Sequence, residues 1–348
     1  LFMKLGIIGL PGAGKSTLFE ALTHIPVGAG AGQKMENKLG TIRVPDERID
    51  FLSKMFQPHK TIYAQVEYLL PRLSVHKQDK NREESTWTDV RTCDALIHVL
   101  RNFESFGQAE PTPEQDFHTL DQELVFADLM VVDKRLERLA LDKKRGKKPD
   151  DEELHLLEEC RQMLEQETPL RRNPDLAAHR LLKGYTFLSA KPILVLFNNE
   201  DEDDRLPAAG NLLSLENCLV ARGRLEQELY QMSPEEAAIF LEEFKVAASA
   251  MDRVIAASYE LLGLISFFTV GKDEVRAWTI TRTTMAVDAA EVIHSDIKKG
   301  FIRAEVLAYE DLLTAGSYKE ARNRGTVRLE GKNYIVKDGD IIEFRFNV

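Results

Sequence analysis

The stretch Gly9-Leu10-Pro11-Gly12-Ala13-Gly14-Lys15-Ser16 decides the fold. It matches the phosphate-loop spacing G-x-x-x-x-G-K-[ST] in full. Its glycines permit backbone dihedrals that aim successive N–H groups at one anion. The run before it, Lys4-Leu5-Gly6-Ile7-Ile8-Gly9, is short and apolar, as a buried parallel strand requires. Ser16–Leu22 after it reads as a helix whose positive dipole end begins near Lys15. The spacing predicts a nucleotide site made of Pro11, Gly12, Ala13, Gly14, Lys15, Ser16 and Thr17. In that site Lys15 reaches the β- and γ-phosphates and the Ser16 hydroxyl is the metal ligand, holding Mg²⁺. Thr17 is expected at the α-phosphate.

Working outward, Ala64–Leu70, Ala95–Leu100 and Ile193–Phe197 are further strand candidates. Alternation of strands with helical stretches predicts a three-layer α/β domain. The third strand runs into Asn198-Asn199-Glu200-Asp201. A guanine site places N-K-x-D there, its Asp accepting the guanine N–H groups and its Lys stem covering the base. Asn198 and Asp201 keep that spacing and Asn199 stands in place of the Lys. The same residues also read as the start of an acidic surface loop, since 201–204 are all acidic. Leu219-Val220-Ala221-Arg222-Gly223 resembles the S-A-K-type loop behind the base, which makes Ala221 a site residue. It reads equally as one more core strand.

From Phe117 to about Leu182 the pattern is helical. Leu129, Val132, Leu136 and Leu139 form a heptad seam, which Leu154, Leu157, Arg161 and Leu164 repeat imperfectly. Between them Lys143-Lys144-Arg145-Gly146-Lys147-Lys148-Pro149 is a turn, with Asp150 as cap and Glu153 closing a capping box. This predicts an antiparallel helical hairpin at 115–184, inserted into an α/β domain at 1–114 and 185–265. Its basic tip is either a solvated turn or a contact for RNA phosphate or an acidic partner. From 266 to 348 the chain reads as a small α+β domain, with Val275–Ile280 a strand, Ala286–Ile297 a helix and tight turns at 330–333 and 337–340.

Composition excludes several classes. Hydrophobic residues make up 43% and charged residues 30% of the 348, which is not a disordered chain, a collagen or a coiled-coil rod. The net charge of −11 argues against a globally basic nucleic-acid wrapper, and no DNA partner is expected. No run approaches a membrane helix, and the N-terminal residues do not read as a signal peptide. Cys93, Cys160 and Cys218 are far apart, so neither a disulfide framework nor a zinc site is expected, and a cytoplasmic setting is.

The chain resembles the YchF-type nucleotide-binding proteins of the Obg-related GTPase group. The resemblance rests on Lys4–Thr23, Val44-Pro45-Asp46-Glu47-Arg48-Ile49-Asp50, Cys93–Val99 and Lys134–Leu139. Glu274–Ile280, Lys299-Gly300-Phe301-Ile302-Arg303-Ala304 and Gly331–Asp340 are its most specific parts. It implies a P-loop NTPase G domain, an inserted helical hairpin and a C-terminal TGS-type β-grasp domain. It also implies ATP or GTP as ligand with Mg²⁺, slow hydrolysis, and association with ribosomes in translation or stress control. The family's usual N-x-x-E has Glu where this chain has Asp201, so base preference stays open.

The switch motifs depart from that family. Leu70-Pro71-Arg72-Leu73 stands where D-x-x-G belongs, and no glycine occurs between Gly40 and Gly107. Ser74–Arg91 replaces a glycine-rich loop. Lys34 falls at the place of the Mg²⁺-binding threonine of the first switch, with Thr41 as a displaced substitute. Ser105–Pro113 lacks the family's histidine, and His118 does not align with it. Retained nucleotide binding with weak or absent hydrolysis follows, coupled to ribosome or RNA contact. A slow ATPase or GTPase regulator is the alternative, and a small-molecule P-loop kinase a remote third. Elsewhere Trp278 reads as core against an RNA-stacking platform, and His98 and His294 as satisfied structural histidines. Asp338 and Asp340 read as turn residues. Arg276, Lys298, Lys299 and Arg303 are either a basic patch or a solvated face.

Overall fold

The computed structural model describes residues 3–27, 36–72, 87–148, 150–243 and 249–347. Lys34 and most of the replaced second-switch loop lie outside the described residues. The chain packs as two compact units, Met3–Gly40 with Glu67–Met251, and Thr41–Val66 with the chain from Asp252 onward.

The first unit is built on a sheet of order β2-β4-β1-β5-β6-β7. Its strands are β1 (Lys4–Ile8), β2 (Lys38–Arg43), β4 (Gln65–Leu70), β5 (Ala95–Asn102), β6 (Ile193–Asn199) and β7 (Asn217–Ala221). β1 is parallel to β4 and β5, β5 to β6, and β6 to β7. Every residue of β6 is buried, which explains its uninterrupted apolar run. Leu96, Leu100, Val195 and Phe197 of these strands share a core with Phe117 and Leu120. The crossovers leave the strand ends of β1, β5, β6 and β7 carrying loops at one edge, where α/β sheets hold ligands.

The inserted helices are α3 (Pro113–Lys144) and α4 (Asp151–Glu165). Val132 and Leu139 are buried against Leu157, Cys160 and Leu164, with Leu129 and Leu136 partly buried beside them. Arg161 breaks the repeat because its place is at the rim, where it pairs with Asp133 at 3.1 Å and Glu165 at 2.9 Å. Asp150 caps α4, accepting from Glu152 N at 3.0 Å. Glu153 does not close the expected capping box: Arg135 and Tyr185 hold its carboxylate. The pair is anchored by Asp128, fully buried, which accepts from Arg91 (2.8 Å), Leu188 N (3.0 Å) and Ser189 N (2.7 Å). Lys143, Lys144, Arg145, Lys147 and Lys148 at the tip are exposed.

The second unit has the sheet order β11-β10-β12-β8-β9-β3. Here β3 is Lys60–Ile62, β8 Leu264–Val270, β9 Glu274–Thr281, β10 Phe301–Ala308, β11 Arg328–Glu330 and β12 Asp340–Phe346. β8 and β9 are antiparallel, as are β10 and β12, and β12 runs parallel to β8 at the centre. Ala286, Ala289 and Ala290 seat a helix on Phe267, Phe301 and Val306. The predicted helix over Ala286–Ile297 is broken in two, because His294 is extended and its ring accepts from Asp296 N at 3.2 Å.

This unit is larger than the 266–348 expected for the small domain. Thr41–Val66 joins it because β3 adds to β9, pairing Thr61 with Val275. A second tie comes from Arg48 in α2 (Glu47–Phe56). Its guanidinium bonds Asp46 and Asp338, each at 2.9 Å, and lies over the Phe268 ring at 5.2 Å. Asp338 also accepts from Ser266 N at 2.9 Å, and Asp340 accepts from Lys337 N at 2.9 Å, so both are turn residues. Arg48→Ala is expected to lower stability by about 1–3 kcal/mol, since it strips the largely buried Asp46 and the more exposed Asp338 of their partner. Urea unfolding of the full chain measures this, and an unchanged midpoint would show the tie to be idle.

Trp278 is partly buried beside Phe267, its Nε1 donates to Thr269 at 2.9 Å, and Arg276 covers its ring at 3.7 Å. Three of the four cations are paired: Lys298 with Asp288 and Glu291, Lys299 with Asp296, and Arg276 with Glu274, while Arg303 is exposed. His98 is not satisfied. It is fully buried against Phe117, and neither ring nitrogen has a hydrogen-bond partner among the described residues. Burial, with Arg171 and Lys15 adding to it, pushes its pKa down to about 3, so the ring stays neutral.

Candidate functional site

The phosphate loop leaves β1 at Gly9 and enters α1 (Lys15–Thr23) at Gly14. Gly12 and Gly14 sit at φ +82° and +90°, in the left-handed region. A Cβ on Gly14 would stand 2.1 Å from Asn198 Nδ2, and one on Gly9 2.4 Å from the Val99 carbonyl. The turn thus depends on glycine both for its dihedrals and for its closeness to the sheet. No side chain caps α1, so its first N–H groups remain for an anion. Ser16 and Thr17 lie in that first turn, partly exposed, while Ala13 is buried and Pro11 and Gly12 are exposed.

Lys15 is 4% exposed, and its Nζ donates to the carbonyls of Gly9 (2.8 Å) and Leu10 (2.7 Å). An ammonium has three donors. Two hold it inside the loop, and the third is left for a phosphate oxygen. Burial without a counter-charge pushes its pKa down to about 8.

Asn198 at the end of β6 ties the loop to β7. Its amide donates to the Ala13 carbonyl (3.1 Å) and its oxygen accepts from Gly223 N (2.9 Å). Ala221 ends β7, buried and in register with Asn198. The segment is therefore both a core strand and the wall behind the loop. Asp201 is engaged differently. Its carboxylate accepts from Leu225 N at 3.0 Å, near the start of α5 (Gly223–Gln231), and Arg224 lies 3.8 Å away. Reading two base N–H groups would require it to release that helix. Asn199 does not cover a base: it is buried, donating to the carbonyls of Asp203 (3.0 Å) and Arg205 (2.8 Å). This turns the acidic 200–205 segment back on itself.

Sequence reasoning missed Gln108. A Cβ on Gly12 would meet its Nε2 at 3.1 Å and Oε1 at 3.4 Å, so this amide lies over the loop. Arg101 holds the loop that carries it, donating to the carbonyls of Phe103 (3.3 Å) and Ala109 (2.7 Å). A single glutamine in a polar loop carries no local signal. Only the crossing of β5 beside β1 brings it to Gly12.

For Mg²⁺ the described donor set is sparse. The Ser16 hydroxyl is in place, but Leu70, buried at the end of β4, stands where a carboxylate belongs. The residues fit a cation that arrives on phosphate oxygens and keeps its waters, not one held by a protein cage.

A parallel sheet with this loop between β1 and α1, and an asparagine at the end of β6 bracing it, defines a P-loop nucleotide-binding protein. The family profile MMR_HSR1, described as a 50S ribosome-binding GTPase, matches residues 4–134. The profile YchF-GTPase_C, described as a protein of unknown function (DUF933), matches residues 264–347. The chain is 36% identical over 365 residues to the "Ribosome-binding ATPase YchF" of Bacillus subtilis, with 99% of each covered. It is 36% identical over 362 residues to the protein of the same name from Haemophilus ducreyi, again with 99% of each covered. The solved structure of the Schizosaccharomyces pombe YchF GTPase superposes with a TM-score of 0.82 at 27% identity, covering 99% of this chain and 97% of that one. The chain belongs to the YchF family.

Proposed function

We propose that this protein binds ATP or GTP with Mg²⁺ at the Gly9–Thr17 loop and couples occupancy to contact with the ribosome or its RNA in the cytoplasm, with weak or absent hydrolysis. The observation that carries the nucleotide reading is the Lys15 ammonium, held by two loop carbonyls with one donor left over. Ser16 takes the cation, whose other ligands are phosphate oxygens and water. Asn198, Ala221 and Asp201 bound the base end. The ribosome reading draws on the relatives named as ribosome-binding ATPases and on the exposed basic tip of the hairpin. Among the described residues no helix is long and apolar enough to cross a membrane. The replacement of D-x-x-G by Leu70-Pro71-Arg72-Leu73 is what argues for feeble turnover.

A second reading, a slow ATPase or GTPase that regulates translation or the stress response, is favoured by the same relatives' names. Equilibrium titration of the full chain with ATP, GTP and their non-hydrolysable analogues, with and without Mg²⁺, comes first. Sedimentation with ribosomes in each nucleotide state comes second. Binding with nucleotide-dependent cosedimentation and no phosphate release is the expected result. Multiple turnovers of phosphate release would favour the second reading, and no binding to any nucleotide would refute both.

A further inference from the structure

A side chain outside the phosphate-loop motif also faces the site. The Gln108 amide lies against Gly12, and the side chain is exposed. Its placement is built in. Arg101, at the end of β5, holds the carbonyls of Phe103, Ala109 and, at 3.4 Å, Glu110. Glu104 N donates to Glu200 at 2.7 Å, and Gln108 N closes a turn on Ser105 O at 3.0 Å. Backbone held by five hydrogen bonds presents this exposed amide to the loop.

The loop itself says which part of a nucleotide lies there. On the proposed reading Asn198 and Ala221 bound the base end, and Asn198 touches Ala13 and Gly14. Lys15 Nζ sits by Gly9 and Leu10, at the end where it meets β- and γ-phosphates. Gly12 precedes Gly14 by two positions, on the way to that terminal-phosphate end. The glycine of D-x-x-G is replaced by Leu73 in Leu70-Pro71-Arg72-Leu73, a position outside the described residues.

We propose that Gln108 reads the terminal phosphate, its Nε2 donating to a γ-phosphate oxygen, and so gives this protein its preference for nucleoside triphosphate over diphosphate. The inference rests on the reading of the loop as a nucleotide site. A neutral amide donor suits a phosphate oxyanion and makes a charge-assisted bond. A diphosphate has no group at that position, so only the triphosphate gains from it.

The test is calorimetric titration of the full chain with Mg–ADP and with Mg–β,γ-imido-ATP, for the native protein, Gln108→Ala and Gln108→Glu. The native protein is expected to favour the triphosphate. Gln108→Ala should weaken the triphosphate about tenfold and leave the diphosphate within about twofold. Gln108→Glu should weaken the triphosphate further, because its carboxylate repels the phosphate. An unchanged triphosphate-to-diphosphate ratio in Gln108→Ala overturns the proposal. Equal weakening of both ligands does the same, since it marks a support for the loop and not a phosphate reader. If the native protein binds neither ligand, the nucleotide reading itself has failed.

Discussion

Lys15→Ala is expected to weaken nucleoside-triphosphate binding by at least about a hundredfold, because it removes the buried loop cation that the proposed function sets against the phosphates. The side chain does two things in the native loop. It ties the Gly9 and Leu10 carbonyls together, and it keeps a third N–H for the proposed phosphate contact. Fluorescence titration with a labelled triphosphate analogue measures the loss, and retained affinity would end the phosphate-loop assignment. A pH series gives an independent check. Burial holds the Lys15 pKa near 8, below its ordinary 10.5. A phosphate oxyanion beside it favours the charged form, so binding takes up a proton above pH 8. Affinity should therefore be level between pH 7 and 8 and fall about tenfold per unit above that. The terminal phosphate is already ionised there and contributes no opposite slope. A flat profile to pH 9.5 would mean that Lys15 does not meet the anion.

Asn198→Ala is the second large effect. This side chain is 4% exposed and bridges the Ala13 carbonyl and Gly223 N–H. Alanine leaves a buried backbone donor and acceptor without partners, costing about 2–4 kcal/mol of stability. It also frees the loop from β7, so nucleotide affinity should fall about tenfold or more. Asn198→Asp discriminates the two bonds. It keeps the acceptor for Gly223 N–H but sets a carboxylate against the Ala13 carbonyl, so part of the stability returns while the loop stays displaced. Urea unfolding and nucleotide titration on the same samples separate the two outcomes. Alanine behaving as the native protein in both would show the bridge to be incidental.

The site was legible in the sequence where the chemistry is local. The phosphate loop is a contiguous string whose dihedrals and N–H directions follow from its own glycines, so Gly9 to Thr17 could be placed before any fold was known. Asn198 was legible through its position after an apolar strand. The role of Asp201 was not, because what engages it is Leu225 N and Arg224, which the end of β7 brings round from two dozen residues away. Asn199 was missed likewise: its carbonyl partners lie four and six residues on, across a loop whose path no propensity states. His98 reads as a satisfied structural histidine in sequence, and only the fold shows it packed on Phe117 with its nitrogens unpartnered among the described residues.

By itself the sequence determined the nucleotide loop, the parallel strands beside it, the helical hairpin and the loss of the switch motifs. Each depends on residue type and short-range spacing, which a single stretch of chain carries whole. Tertiary structure alone decided that Thr41–Val66 packs with the C-terminal strands, that Arg48 closes on Asp338, and that Gln108 lies over Gly12. Those partners are separated by 290 and 96 residues in the last two cases, and such pairings arise from sheet order and side-chain reach, neither of which leaves a periodic or local trace.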